Sequence, residues 1–335
     1  MNTKRIISLV ASLALVLSLS VGLTGCGDKA AQDDNQGSTD GEGTKYTVGI
    51  CQLVQHEALD AATQGFIDAL NEALPGQVEF QNKNASGDSA NCSTIVNGFV
   101  SDGVDLILAN ATGALTAAAA ATSDIPILGT SITAYGVALD IDDFNGTVGG
   151  NISGTSDLAD LEAQANMITE WFPDATKVGL LFCSAEPNSR YQIEEGARCL
   201  SDKGIETQEF AFTDTNDVAS VTQSAADYSD VVYVPTDNTA ASNTEAIANV
   251  VIPEKVPVVA GEEGICKGCG VAALSISYYD LGYKTGEMAA EILADGADVS
   301  TMPVEFAPNV TKKYNAANCE ALGITPPDGY EAIAD

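Results

Sequence analysis

The chain has 335 residues, with 14 Lys and Arg against 47 Asp and Glu, for a formal charge of -33. That surplus argues against nucleic acid as a partner, because phosphate binding needs cations, and an anionic membrane surface would repel it. The single histidine, His56, leaves too few ligands for a structural zinc site beside the cysteines.

Residues 1–25 read as a secretory signal peptide: Lys4 and Arg5, an apolar run over 6–21, then Leu23-Thr24-Gly25-Cys26. Cleavage before Cys26 predicts a lipidated cysteine at the mature terminus, and two or more acyl chains make a durable membrane anchor. A transmembrane helix is the weaker reading, because the run is short and ends in Gly22, Gly25, Cys26 and Gly27. Residues 26–44 carry almost nothing to bury and predict a flexible tether on the extracytoplasmic face.

From Tyr46 onward short apolar runs alternate with amphipathic stretches. Strands are predicted at 47–52, 78–82, 106–109, 127–129, 177–182, 206–212, 231–234, 258–260 and 271–276. Helices are predicted at 58–74, 89–101, 113–121, 157–171, 189–201, 218–228, 243–250 and 279–294. Strands this short and apolar need helices on both faces, so the fold class is α/β with parallel sheets. Val48-Gly49-Ile50 and Val178-Gly179-Leu180-Leu181 open two similar units, which predicts two lobes. In such sheets ligands sit beyond the carboxyl ends of the strands.

Polar residues cluster at those ends: Gln52 and His56 after the first strand, Asn110 and Thr112 after the third, Thr130 and Ser131 after the fourth. In the second unit Ser184, Glu186, Asn188 and Ser189 follow one strand, Asp237 and Asn238 another, and Glu262 a third. Each could simply cap a helix, but several clusters hold more polar groups than one cap needs. The 184–189 loop enters a helix whose free N–H groups suit a carboxylate, and Asp237 suits an ammonium. Together they describe a site for an α-amino acid zwitterion. Enzyme chemistry is not expected: there is no nucleophile elbow, P-loop or paired-histidine zinc motif, and no cofactor or metal is implied. Cys266-Lys267-Gly268-Cys269, flanked by glycines, predicts a local disulfide that shapes a turn.

Val48-Gly49-Ile50-Cys51-Gln52-Leu53-Val54-Gln55-His56, Leu59-Asp60, the 184–189 loop, Pro235-Thr236-Asp237-Asn238 and Tyr278-Tyr279-Asp280-Leu281-Gly282, in this order, are similar to the ABC-transporter substrate-binding lipoproteins of the tryptophan/tyrosine-binding type. The resemblance runs from Val48 to about Thr311. It implies a two-lobed type 1 periplasmic-binding-protein fold, with lobe 1 at 45–152 and 267–305 and lobe 2 at 153–266 and 306–335. It also implies an aromatic or apolar amino acid between the lobes and delivery to ABC permease subunits. Ser277 stands where the family often has an Asp, so the ammonium contact is expected from Asp237 or Glu262. A receptor for a sugar or nucleoside, or a sensor lipoprotein uncoupled from transport, fits the same features.

Overall fold

The computed structural model describes residues 45–307 and 309–334. The signal peptide, Cys26 and the tether lie outside the described residues. The first five strands are β1 (Tyr46–Gln52), β2 (Val78–Asn84), β3 (Leu106–Asn110), β4 (Ile127–Ile132) and β5 (Ile152–Ser156), interleaved with α1 (Glu57–Ala73), α2 (Ser89–Asp102), α3 (Thr112–Ala121) and the single turn α4 (Tyr135–Ala138). The second run holds α5 (Leu161–Trp171), β6 (Lys177–Cys183), α6 (Pro187–Ser201), β7 (Glu206–Phe212), α7 (Val218–Tyr228) and β8 (Val231–Val234). It continues through α8 (Asn238–Ala241), α9 (Thr244–Glu254), β9 (Val258–Ala260), α10 (Glu263–Cys269) and β10 (Ala272–Ser275). The chain ends with α11 (Tyr278–Asp295), β11 (Glu305–Phe306), β12 (Thr311–Tyr314), α12 (Ala316–Leu322) and β13 (Glu331–Ala332).

Two sheets result, in the orders β11-β5-β4-β3-β1-β2 and β13-β12-β10-β9-β8-β6-β7. All pairs are parallel except β10 with β12. Both sheets change direction beside their first strand, between β1 and β3 and between β6 and β8, which is where open α/β sheets leave a crevice. Each sheet is covered on two faces. In the first lobe Val96, Phe99 and Leu115 pack one face, while Phe66, Leu70 and Met288 pack the other. In the second, Val218, Ile247 and Ile265 oppose Ile168, Ile193 and Leu200. Complete burial of one such side chain stabilises by about 1.5–3 kcal/mol.

The chain crosses between lobes after β5, after β10 and after β11. These positions correct the expected boundaries. Strand β5 pairs with β4 in the first sheet, residues 272–273 pair with β9 and 272–275 with β12 in the second, and Phe306 pairs with Ser156 in the first. The boundary expected between residues 152 and 153 falls inside strand β5. Its Ile-Ser-Gly-Thr-Ser sequence carries little apolar signal, yet every residue is buried. The hydroxyls are satisfied inside the lobe: Ser153 by the Met302 carbonyl at 3.0 Å, Thr155 by Thr285 at 2.8 Å, and Ser156 by the Thr133 carbonyl at 3.1 Å.

Residues 263–269, read as a stapled turn, form helix α10 instead. Cys266 and Cys269 are buried free thiols, and Cys269 Sγ lies 3.3 Å from the Ile265 carbonyl one turn back. This corrects the disulfide expectation. Gly268 is required by packing rather than by a turn, since a Cβ there would collide with the Thr244 side chain.

Candidate functional site

The strand ends of the two sheets meet across the cleft. Two residues there, Ala111 (φ 85°) directly after β3 and Ser131 (φ 56°) at the register shift near the end of β4, hold left-handed backbone conformations. For residues other than glycine this costs roughly 1–3 kcal/mol and clusters at ligand sites. The Ala111 N–H donates to the Thr130 carbonyl at 3.1 Å, which binds the two strained corners together.

Many of the residues expected to meet a ligand are engaged within their own lobe. Gln52 donates to the Val54 carbonyl (2.9 Å) and Asp60 (2.7 Å) and accepts from Thr63 (2.7 Å). The Thr130 hydroxyl pairs with Thr155 at 3.2 Å, inside the first lobe. Thr112 is buried in the first turn of α3. Ser184 turns back to the Phe212 carbonyl through Oγ at 3.2 Å. Ser277 is exposed and caps α11 by accepting from the Asp280 N–H at 3.1 Å.

The expected carboxylate and ammonium contacts also change. Glu186 acts as an anion at the start of α8, not at α6, where the ligand carboxylate was expected. Its carboxylate accepts from the Asn238 N–H (3.0 Å), Asn238 Nδ2 (2.7 Å), the Thr239 N–H (2.8 Å) and the Thr239 hydroxyl (2.7 Å) at the start of α8. Asn188 Nδ2 bridges to Ser189 and to the Thr236 carbonyl, and Ser189 is fully buried. Asp237 caps α8: Oδ1 accepts from the Ala240 N–H at 2.7 Å and Oδ2 from the Cys183 N–H at 2.6 Å. Glu262 caps α10 by accepting from Gly264 and Ile265. Burial pushes both carboxyls up, to about 7, with the Glu186 charge adding to the shift at Asp237. Both carboxyls accept backbone N–H groups at helix starts.

Three buried polar atoms at these strand ends have no hydrogen-bond partner among the described residues: Asn110 Oδ1, Ser131 Oγ and Asp157 Oδ1. Asn110 uses its amide on the Leu59 carbonyl (2.8 Å) and Thr63 (2.9 Å). Asp157 sits just after β5 with its N–H on the Ile132 carbonyl at 3.2 Å. Its Oδ2 accepts from the Tyr278 hydroxyl at 2.9 Å, and burial raises its pKa. Sequence reasoning passed over Asp157 as a site residue and named Tyr278 only within the family-like motif. Asp157 opens a stretch read as helix, where a first-turn acid is ordinary, although Thr155-Ser156-Asp157 repeats the polar strand-end signature seen elsewhere.

His56 joins the lobes. From the N-cap of α1 its Nε2 lies 3.2 Å from Asn238 Oδ1 at the start of α8, and burial lowers its pKa despite Asn238, Glu186 and Asp60 nearby. Glu57 beside it pairs with Lys267 of α10 at 3.4 Å. Further along the cleft a cavity of about 610 Å³ lies between Tyr191 of α6 and the first lobe, where Tyr135, Phe144, Leu158 and Phe306 line it with Thr133 and Ser156.

The sequence model of the ABC transporter substrate binding protein family matches residues 47–335. A tyrosine-binding protein of Clostridioides difficile (strain R20291) is 35% identical over 315 residues, covering 90% of this chain and 88% of that one. The ABC domain from Streptococcus pneumonia in complex with L-Trp is 30% identical, with a TM-score of 0.82 over 87% of this chain and 100% of that one. A ligand-free, open substrate-binding protein with adhesive properties from Clostridium difficile is 34% identical, with a TM-score of 0.66 over 86% of this chain and 99% of that one. With two lobes, crevices facing each other and a match along nearly the whole described length, the chain belongs to the ABC transporter substrate-binding protein family.

Proposed function

We propose that this protein is the extracytoplasmic receptor of an ABC importer and that it takes an aromatic or apolar amino acid into its interlobe cleft. The observation that carries the reading is the cavity of about 610 Å³ whose lining is chiefly aromatic and aliphatic, with Thr133, Ser156, Asp140 and Asp142 as its polar side chains. Ligand sites have this character: an apolar body with a few placed polar groups. The polar head would lie toward Asn110, Ser131 and the Asn188–Asn238 side of the cleft. The relatives that bind tyrosine and L-Trp support the same class. The described lobes superpose better on the L-Trp complex than on the ligand-free, open relative, although the latter is the more similar in sequence. This supports a closed arrangement, in keeping with the His56–Asn238 and Glu57–Lys267 contacts. Closure would deliver the amino acid to permease subunits, and the lipid on Cys26 would hold the receptor at the membrane surface.

Calorimetric titration with the twenty amino acids, after removal of any co-purified ligand, tests the reading. Binding of L-tyrosine, L-tryptophan or another apolar amino acid below ~1 mM, about -4 kcal/mol, is expected. Binding of a sugar or nucleoside in the absence of amino acid binding would overturn it. The anchor is checked separately: radiolabelled palmitate should enter the wild-type protein in cells and not a Cys26→Ser variant.

A further inference from the structure

We propose that Asp157 is the residue that selects a cationic headgroup, receiving the ligand's ammonium on its Oδ1. The inference rests on the amino acid reading above and moves the contact expected of Asp237 or Glu262, which cap helices, to a carboxyl that caps none.

The first observation is geometric. Asp157 is 4% exposed, and among the described residues its Oδ1 has no hydrogen-bond partner. Buried polar atoms are nearly always partnered, so an exception calls for a specific explanation. The other oxygen is fixed by the Tyr278 hydroxyl at 2.9 Å. Tyr278 also lies within hydrogen-bonding reach of the Thr236 side chain at the end of β8. A chain of polar groups therefore runs from the end of β5, past the start of α11, to the second lobe. It holds the carboxyl in one orientation, between two of the three crossovers.

The second observation concerns charge. Four carboxylates are buried near the strand ends, those of Asp157, Glu186, Asp237 and Glu262, and no Lys or Arg is buried among the described residues. Glu186 and Asp237 accept backbone N–H groups at α8, and Glu262 does so at α10. Those partial positive charges offset three of the four. Asp157 caps no helix: it accepts the Tyr278 hydroxyl with the Thr133 side chain close by, and the charge of Glu262 is close enough to repel its own. A buried anion without an opposite charge takes up a proton or a cation. An ammonium is the cation an amino acid brings, and Ser131 Oγ, two strand positions away across the β4–β5 pair, offers a further unpartnered oxygen in the same region.

Selection of this kind has a signature in the ligand as well as in the protein. The test uses L-tyrosine and L-tryptophan, their deaminated propanoic acids, and the amines tyramine and tryptamine, titrated into the full mature protein and into Asp157→Asn and Asp157→Ser. Loss of the anion should weaken L-amino acid binding on the order of 100-fold, as for truncation of one side of a buried charge pair. The deaminated acids should bind the variants within about threefold of wild type, or more tightly. Circular dichroism melts of both variants guard against unfolding; if one fails to fold, the other carries the comparison. Wild type that prefers the deaminated acid to the amino acid would overturn the proposal without any variant. Equal amino acid affinity in wild type and variants would overturn it while leaving the amino acid reading intact. Wild type that binds neither amino acids nor amines would overturn both.

Discussion

At the residue scale the second lobe shows how capping can disguise itself as a binding site. Asp237, Glu262 and Ser277 follow strands β8, β9 and β10, and each accepts an N–H group at the start of the next helix. Sequence alone separates a cap from a ligand contact poorly, because Asp, Ser and Asn serve both through the same oxygen atoms. Asp157 was hidden for the opposite reason: it looks like a helix-opening acid and is not one, since α5 begins at Leu161 with Asp160 as its cap. The buried acids also set a pH dependence. The carboxyls of Asp237 and Glu262 rise to about 7 on folding, mainly through burial, and that of Asp157 rises in the same direction. An acid whose folded pKa exceeds its unfolded value binds a proton on folding. Its contribution is complete below the unfolded value near 4 and is lost as pH rises through about 7. Thermal melts of ligand-free protein should therefore give a higher Tm at pH 5.5 than at pH 8.0. A Tm that rises across that interval would mean that these groups stay ionised and are matched by charges the fold supplies.

Among the elements, the long apolar runs were the legible ones. The bounds read for β7, β8 and β9 coincide with Glu206–Phe212, Val231–Val234 and Val258–Ala260; the last two are continuous apolar runs, and β7 buries Phe210 and Phe212 at its end. Element β5 was illegible because its burial is satisfied by hydroxyls rather than by apolar side chains, and α10 because its glycines suggested a turn. Glycine has a different meaning again where α1 meets α11. A Cβ on Gly65 would strike the Tyr279 carbonyl, one on Gly282 the Ala62 carbonyl, and one on Gly286 the Phe66 backbone and Ala69. These two helices approach backbone to backbone, and α11 thereby completes the first lobe after the second crossover. Gly282→Ala gains helix propensity of about 1 kcal/mol but forces two backbones apart, and overpacking costs typically 1–3 kcal/mol with backbone displacement adding to it. The net effect should be destabilising by roughly 1–2 kcal/mol in urea unfolding. Gly296→Ala would be a poor control, because Gly296 has φ of 69°; Gly98→Ala, in open space on α2, should be neutral or stabilising.

For the whole molecule, the two-lobed plan could be read from the alternation of strands and helices, whereas the crossovers could not. The chain passes between lobes through short segments that resemble ordinary loops, and only pairing decides to which sheet β5, β10 and β11 belong. Function at this scale is the balance between open and closed lobes. Away from the crossovers, the start of α1 reaches the second lobe at two points, His56 to Asn238 and Glu57 to Lys267. The second pair is solvent-exposed and contributes ~1 kcal/mol or less. The first is partly buried, and Asn238 is itself held by Glu186 at 2.7 Å, so its geometry is fixed before the lobes meet. A hydrogen bond of this kind is worth about 0.5–1.5 kcal/mol. His56→Ala should therefore shift the open–closed equilibrium toward open by roughly two- to twelvefold and weaken apparent affinity by the same factor. Most of that loss should appear as faster release, since the contact forms after the ligand has entered. Stopped-flow release and small-angle scattering read the two halves of this expectation. Amino acid should reduce the wild-type radius of gyration, and the variant should need more amino acid to reach the same compact value. A variant with an unchanged release rate would remove His56 from the closing contact. An unchanged radius in wild type saturated with ligand would remove the hinge motion itself.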